Sequence, residues 1–255
     1  MKIKLVICAL LLLPFLSDAK DAAPGKPVAD PKSILKDDGT LYRYITNDVR
    51  LCENFTPYNQ ASKVISKEAF FKQISTGTYL PVKLVSNGSL AAYQLYKVGE
   101  ETNSVRYARL LAMGKQYYIN FKRVGKPLAA FNIVDLNGKR YTPQNTKGKY
   151  IVFKCWFIGC HACVEEMPRV NQLAAGYKNR KDVLFVSLAF DAAKELNVFL
   201  KKHQFDFAVV PKQGKYMTET LGVDTFPTSI LVGKDGLVIA GGQSEELFEV
   251  LKKLP

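Results

Sequence analysis

The sequence is poor in the residues that build metal centres. Its 255 residues include five cysteines, two histidines and one tryptophan. A structural zinc site built on the Cys-x-x-Cys at residues 160–163 would need a second pair of ligands. The remaining candidates have no paired spacing; they are Cys52, Cys155, His161 and His203. The sequence therefore predicts no metal site.

An Arg-rich arm and an internal repeat are also absent, although the chain is basic. It contains 36 Lys and Arg residues against 23 Asp and Glu residues, a formal net charge of +13. The basic runs are short, as at Lys201-Lys202, so the charge indicates a solvated basic surface and nucleic acid is not an expected partner. Hydrophobic residues make up 47% of the chain and charged residues 23%. These values exclude collagen-like, coiled-coil and wholly disordered proteins.

The longest apolar run is too short to cross a membrane. It covers residues 5–16, directly after Lys2 and Lys4, whereas a spanning helix needs about 20 apolar residues. A basic start, an apolar run of this length and small residues at its end are typical of a signal peptide. We predict a signal peptide over residues 1–19, cleaved after Ala19 or, as second choice, after Ala23. The chain would then be exported across the inner membrane to the periplasm, and an uncleaved anchor is the one predicted route to the membrane.

The region that precedes residue 126 divides into two parts. Residues 20–39 are rich in Pro, Ala, Lys and Asp without apolar periodicity, which predicts a flexible linker. Residues 40–125 predict a small α+β domain of unknown role. Ser66 is a candidate N-cap for a helix over residues 67–74.

Strands are also predicted in this small domain. Residues 80–85 and 90–98 flank an Asn-Gly pair, which is a strong signal for a β-hairpin. Residues 117–124 predict a further strand, whereas residues 104–112 are ambiguous between helix and strand. The many aromatic side chains of the region are interpreted as core residues.

The second half, residues 126–255, predicts an α/β domain. Residues 150–157 and 183–190 are almost continuously apolar, as expected of strands that are buried on both faces. Further strands and helices follow in the order β-α-β, helix, β-hairpin, helix, which is the order of a thioredoxin fold. The predicted strands cover residues 131–134, 150–157, 183–190, 207–210, 229–232 and 237–240, and the predicted helices cover residues 163–175, 193–203, 216–221 and 245–253.

A Cys-x-x-Cys motif stands where the first buried strand meets the following helix. Cys160 would lie at the helix N-terminus, where free backbone N–H groups and the helix dipole stabilise a thiolate. Cys163, about one turn later, is placed to attack a mixed disulfide formed by the first sulfur. We therefore predict that Cys160 is the nucleophile and Cys163 the resolving cysteine, with no cofactor other than their redox-active disulfide.

Residues 153–168, which contain this motif and end at Pro168, resemble the active-site segment of TlpA/ResA-like thiol-disulfide oxidoreductases of the thioredoxin superfamily. The resemblance extends upstream to residues 131–139 and downstream to residues 226–232, and it covers roughly 130 residues in all. It implies a thioredoxin-like domain over the second half of the chain. Residues 20–125 have no counterpart in it.

The resemblance also implies roles for single residues. Glu166 matches an acidic residue that lies beneath the disulfide and would exchange a proton with the resolving thiol, if the carboxyl is partly buried. Pro227 matches a proline that follows a cis peptide bond, and Phe226 would then bind an extended substrate through its backbone. Trp156 is supported as a substrate-binding residue, although core packing is its simpler interpretation. His161, beside the nucleophile, is predicted to contact the substrate as well.

The chain departs from the common family pattern beside the cysteines. His161 and Ala162 stand where Gly-Pro is usual, and Gly159 replaces a frequent aromatic residue. A cationic His161 next to the nucleophile favours a more oxidising couple, whereas family membership indicates a reductant. Cys155 is interpreted as a buried, inert thiol, with pairing to Cys52 as the alternative.

Taken together, these residues predict a secreted thiol-disulfide oxidoreductase. Its expected partners are cysteine-containing protein substrates and a thiol donor protein. The alternative is a binding module, or a copper delivery protein, that uses the same fold without turnover. Against copper delivery, the cysteines are closely spaced and His203 lies in a charged helical segment.

Overall fold

The structure of the protein is a computed structural model that describes residues 24–86, 88, 90–99 and 103–255. The predicted signal peptide lies outside the described residues, as do Asn87 and Ser89 of the predicted hairpin turn. Within the described ranges, none of the helices has the length and apolar character needed to cross a membrane. In the described part of the chain, each half is organised by one larger β-sheet, and the C-terminal half also contains a two-stranded hairpin.

The N-terminal half is a small α+β unit, as predicted, built on a three-stranded sheet. The sheet has the order β1-β3-β2, with β3 antiparallel to β2 and parallel to β1. The predicted hairpin is therefore confirmed by strand pairing, while β1 was not predicted. The strands are β1 (Phe55–Tyr58), β2 (Tyr79–Leu84) and β3 (Ala91–Lys97), and the helices are α1 (Pro31–Ile34), α2 (Asp38–Asp48), α3 (Lys67–Ile74) and α4 (Ser104–Arg123).

Helix α3 is confirmed, but the strand predicted over residues 117–124 is wrong. Ser66 caps α3, because its side chain accepts a hydrogen bond from the Ala69 N–H. Residues 117–123 belong to α4, which begins after the cap Asn103. The buried positions of α4 recur at helical spacing, and at Gly114 the backbone approaches Ile74 so closely that a Cβ atom would overlap the Ile74 carbonyl oxygen.

The flexible linker predicted over residues 20–39 also needs correction, because residues 24–39 carry regular contacts. Asp30 caps α1, and Ile34 is buried in the N-terminal core. The Val28 N–H donates to the Lys83 carbonyl, and the Val85 N–H donates to the Lys26 carbonyl. The segment thus lies along β2, and apolar side chains between its polar residues hold it there.

The C-terminal half has the predicted thioredoxin arrangement. In a five-stranded sheet of order β10-β9-β6-β7-β8, the strands β6, β7 and β8 pair in parallel, and β9 pairs antiparallel with both β6 and β10. Its strands are β6 (Tyr150–Trp156), β7 (Val183–Ala189), β8 (Ala208–Val210), β9 (Thr228–Val232) and β10 (Val238–Gly242), and a separate hairpin comprises β4 (Ile133–Val134) and β5 (Arg140–Tyr141). The helices are α5 (His161–Glu165), α6 (Met167–Ala175), α7 (Ala193–Leu200) and α8 (Ser244–Lys252), with a π-helical turn at Tyr216–Thr220.

Strand β6 divides the C-terminal core into two layers. Ile151 and Phe153 point to one face, where they pack with residues of the β4–β5 hairpin. Tyr150 and Val152 point to the other face, where α6 and α8 cover the sheet. By the same alternation, Lys154 lies on the face of α6 and α8, and it is fully buried there.

The two halves are joined by polar contacts between helices. The Asp224 N–H donates to Gln116 Oε1 at 3.1 Å, and Gln243 Nε2 donates to the Ile45 carbonyl at 3.1 Å. Tyr117 of α4 also donates to the buried carboxylate of Glu246 at 2.5 Å. These contacts fix α2 and α4 against the β10–α8 corner of the thioredoxin unit.

Candidate functional site

The candidate site is a disulfide at the start of α5. Cys160 is the N-cap residue of α5, and Cys163 lies in its first turn. Their sulfurs are bonded, with the Cα atoms 5.2 Å apart. The Cys163 N–H also donates to Cys160 Sγ at 3.2 Å. The first sulfur therefore lies where backbone N–H groups stabilise a thiolate, as the motif predicts.

The two cysteines differ in access. Cys160 keeps 8% of its surface exposed, whereas Cys163 has none. Of the two cysteines, Cys160 alone offers exposed surface to a thiol or disulfide of another molecule. Cys163, behind it, can attack only a sulfur that is already bonded to Cys160.

A cis peptide bond joins Phe226 to Pro227, as the resemblance implies. The Phe226 ring lies in a triangle of edge-to-face aromatic contacts, with ring centroids 5.3 Å from Phe190 and 5.6 Å from Phe157. Gly159 stands where an aromatic residue is frequent, but the Phe157 ring lies beside it, 3.5 Å from the position of a Cβ atom. The three rings supply an apolar surface that Gly159 does not.

Glu166 lies at the break between α5 and α6. It ends the first helix and precedes Met167 and Pro168 of the second. Its carboxylate forms an ion pair with the Lys154 ammonium. Lys154 Nζ also donates to Ser244 Oγ at 3.4 Å, and Ser244 in turn contacts Ser229.

The role of Lys154 was missed from the sequence. A lysine with no exposed surface needs a partner, because an isolated buried charge is strongly unfavourable. The Glu166 side chain supplies that partner and keeps 20% of its own surface exposed. The lysine within the apolar run of residues 150–157 was the available signal, since it interrupts a strand that is buried on both faces.

His161 and Glu165 lie on the exposed side of α5. His161 Nδ1 is 3.1 Å from Glu165 Oε2, and both side chains are largely exposed. His161 thus follows the nucleophile directly in sequence, and its ring contacts the Glu165 carboxylate on the exposed side of the helix.

Trp156 belongs to the core and not to a substrate-facing surface, which corrects its inclusion among the substrate-binding residues. Its side chain has no exposed area and packs against the rings of Phe199 and Phe205. Trp156 belongs to the same buried cluster as Cys160 and Cys163, and so forms part of the core beside the disulfide.

The other two described cysteines are free thiols and are not paired with each other. Cys155 is fully buried, and burial raises its pKa to about 12. Burial also raises the pKa of Cys52 well above its ordinary value, with the Glu246 carboxylate adding to the effect. In the part of the chain that the structure describes, His, Cys, Asp and Glu residues form no group of three that could hold a metal ion.

Comparisons with known proteins agree with this geometry. A sequence model of the Redoxin family matches residues 123–252. Over 136 residues the chain is 36% identical to thiol-disulfide oxidoreductase ResA of Bacillus thuringiensis, which covers 51% of this chain and 78% of the relative. It is also 25% identical to ResA of Halalkalibacterium halodurans, over 56% of this chain and 87% of the relative.

A similar solved structure is the thioredoxin domain of a thiol-disulfide oxidoreductase from Bacteroides vulgatus. The similarity has a TM-score of 0.46 at 24% identity, and it covers 51% of this chain and 96% of that domain.

A thioredoxin-type sheet with a Cys-x-x-Cys disulfide at the start of its first long helical segment defines a thiol-disulfide oxidoreductase. The chain belongs to the Redoxin family, as a TlpA/ResA-like member of the thioredoxin superfamily.

Proposed function

We propose that the protein exchanges its Cys160–Cys163 dithiol with cysteines of protein substrates. The observation that carries the proposal is the different access of the two sulfurs, with Cys160 reachable at the helix N-terminus and Cys163 buried behind it. This is the arrangement that two-step exchange requires. The disulfide itself is the only redox group that the reaction needs.

In the reducing direction, the Cys160 thiolate attacks one sulfur of a substrate disulfide. A mixed disulfide forms, and the second substrate sulfur leaves as a thiolate. Cys163 then loses its proton and attacks Cys160 Sγ, which releases the first substrate sulfur and closes the Cys160–Cys163 bond. Two electrons pass to the substrate, and the reverse sequence oxidises a substrate dithiol.

Glu166 is the proposed acceptor of the Cys163 proton, because it lies one helical turn beyond that cysteine. Lys154 is a positioning residue, because its ammonium contacts the Glu166 carboxylate and fixes its position. The backbone of Phe226, before the cis-proline, is proposed to pair with an extended substrate segment by strand addition.

The compartment belongs to the same proposal. An N-terminal signal peptide would direct the chain out of the cytoplasm, most simply to the periplasm, where disulfide chemistry has an oxidising environment. There a thiol donor protein would regenerate the dithiol form if the protein works as a reductant.

The test is to trap the mixed disulfide. The full chain carrying Cys163→Ser is reduced and mixed with insulin, whose disulfides act as the substrate, and the products are resolved by mass spectrometry. We expect a covalent adduct at Cys160, because the resolving sulfur is missing. The matched variant Cys160→Ser should form none. Wild-type turnover without any adduct in Cys163→Ser, or an equal adduct in Cys160→Ser, would contradict the proposal.

A further inference from the structure

A cleft of about 570 Å³ separates α2 and α4 of the N-terminal half from the candidate site. Tyr42, Val105 and Arg109 line it on the N-terminal side. Ala162 of the Cys-x-x-Cys segment, Phe226 and Pro227 line it on the opposite side. A substrate segment that passes the cis-proline therefore enters a space whose far wall belongs to the other half of the chain.

The N-terminal wall of the cleft is partly apolar. Val105 is 52% exposed and Tyr42 is 39% exposed, so both present apolar surface at the cleft. Contacts between the two halves hold this wall in place, as described above for Gln116 and Gln243. The wall thus offers preformed apolar surface beside the disulfide.

Among the described residues that line the cleft, one charged side chain lacks a partner of opposite charge. The carboxylates of the cleft each have a partner: Glu165 contacts His161, Glu166 contacts Lys154, and Glu245 contacts Arg169 and Arg50. Arg109 differs from all of these cleft residues. Among the described residues it has no carboxylate or hydrogen-bond partner, and its guanidinium lies over the Tyr42 ring, 5.2 Å from the centroid.

The Arg109 guanidinium is also partly withdrawn from water. Its Nε atom is buried and has no hydrogen-bond acceptor in the described part of the chain. Buried donors without acceptors are rare in native proteins, because each loses its hydration without compensation. A bound carboxylate would supply the acceptor, since guanidinium and carboxylate groups match in geometry as well as in charge.

We propose that this cleft binds the polypeptide that flanks the reacting cysteine of a protein substrate, and that Arg109 selects an acidic side chain close to that cysteine. The inference rests on the proposed thiol-disulfide exchange, and it assigns residues 40–125 the role of a substrate-binding wall. Apolar side chains of the substrate pack on Tyr42 and Val105. The carboxylate of an Asp or Glu residue accepts hydrogen bonds from Arg109.

The test uses short peptides that contain one cysteine as a mixed disulfide with 5-thio-2-nitrobenzoate. Three sets carry Glu, Gln or Lys two residues from the cysteine, on either side. The reduced full chain is mixed with each peptide near 0.15 M ionic strength, where long-range charge effects are screened beyond about 8 Å. Each dithiol reacts once, and the absorbance of the released thiolate gives the second-order rate constant for each peptide. We expect the wild type to favour the Glu peptide over the Gln peptide about tenfold.

Arg109→Gln should remove that preference, and Arg109→Glu should reverse it in favour of the Lys peptide. The matched control is Lys115→Gln, because Lys115 is exposed on α4 and does not line the cleft. This control loses the same formal charge but should keep the wild-type preference.

Two results would overturn the inference while leaving thiol-disulfide exchange intact. One is equal reaction of the wild type with all three peptides, and the other is an equal loss of preference in Lys115→Gln and Arg109→Gln. A wild-type protein that reacts with none of the peptides would instead overturn the proposed function, and the inference with it.

Discussion

The buried ammonium of Lys154 contacts the carboxylate of Glu166 and so links the strand that precedes the disulfide to the helix break that follows it. Lys154 belongs to β6, and Glu166 separates α5 from α6. The pair lies on the face of the sheet that also carries Ser244 and Ser229. The ion pair fixes the position of the Glu166 carboxylate.

Lys154→Met should slow the exchange reaction. Without the ammonium, the Glu166 carboxylate loses the contact that fixes its position, so the rate should fall by up to about 100-fold. The measurement is the rate of disulfide exchange between pH 4 and 9. Because Glu166 keeps 20% exposure, the loss of stability should stay below the about 3–5 kcal/mol typical of a broken, fully buried pair.

The double variant Lys154→Met/Glu166→Gln provides the control. If Lys154 acts through Glu166, the double variant and Glu166→Gln alone should have the same pH profile, since the carboxylate is missing in both. If the effects of the two single substitutions on the rate add up in the double variant, the lysine affects the rate by another route.

Alkylation should distinguish the reactive cysteine from the buried ones. In the reduced, folded protein, we expect iodoacetamide to modify Cys160 at least tenfold faster than Cys155, whose pKa of about 12 keeps it in the thiol form. Cys52 should also react slowly, since its pKa is raised by burial and by Glu246. Peptide mapping by mass spectrometry reports each site. In denaturant the rates should converge, and a difference that persists there would point to a cause other than burial.

The buried Glu246 should make the stability of the protein pH-dependent. Burial raises its pKa above the ordinary value of 4.5, although hydrogen bonds from Tyr117 and Cys52 act in the opposite direction. A raised folded-state pKa means that its contribution to stability is fully present below pH 4.5 and is lost as the pH rises through the folded-state value.

Denaturant unfolding of wild type and Glu246→Gln at several pH values from 4 upward measures this effect. The free energy of unfolding of the wild type should fall relative to that of the variant as the pH increases. A difference that stays constant over this range, or that grows in favour of the wild type, would contradict the assigned direction.

The thioredoxin half of the fold could be predicted because its signals are local. Residues 150–157 and 183–190 are continuous apolar runs, and Gly236 supports the turn of the last hairpin with a φ of 84°. Cys160 also stands directly after one of these strands. The position of the disulfide at a helix N-terminus follows from this order of residues.

The N-terminal half was harder to predict, for physical reasons. Residues 117–119, Tyr-Tyr-Ile, have a high strand preference, yet tertiary packing of Tyr117 and its helical neighbours makes them part of α4. Partners that are distant in sequence could not be predicted either. Lys154 and Glu166 meet only because α5 folds back over β6, and Arg109 reaches the cleft only through contacts between the two halves.

The most direct test of the account is the redox equilibrium of the full chain with glutathione. The protein is incubated at a series of reduced-to-oxidised glutathione ratios, and the fraction with a Cys160–Cys163 disulfide is read from the mass added by alkylation. We predict one reversible two-electron transition, with the same midpoint from the oxidised and reduced starting forms and no intramolecular disulfide in Cys160→Ser. A Cys160–Cys163 pair whose state does not change at any ratio, from either starting form, would contradict the account.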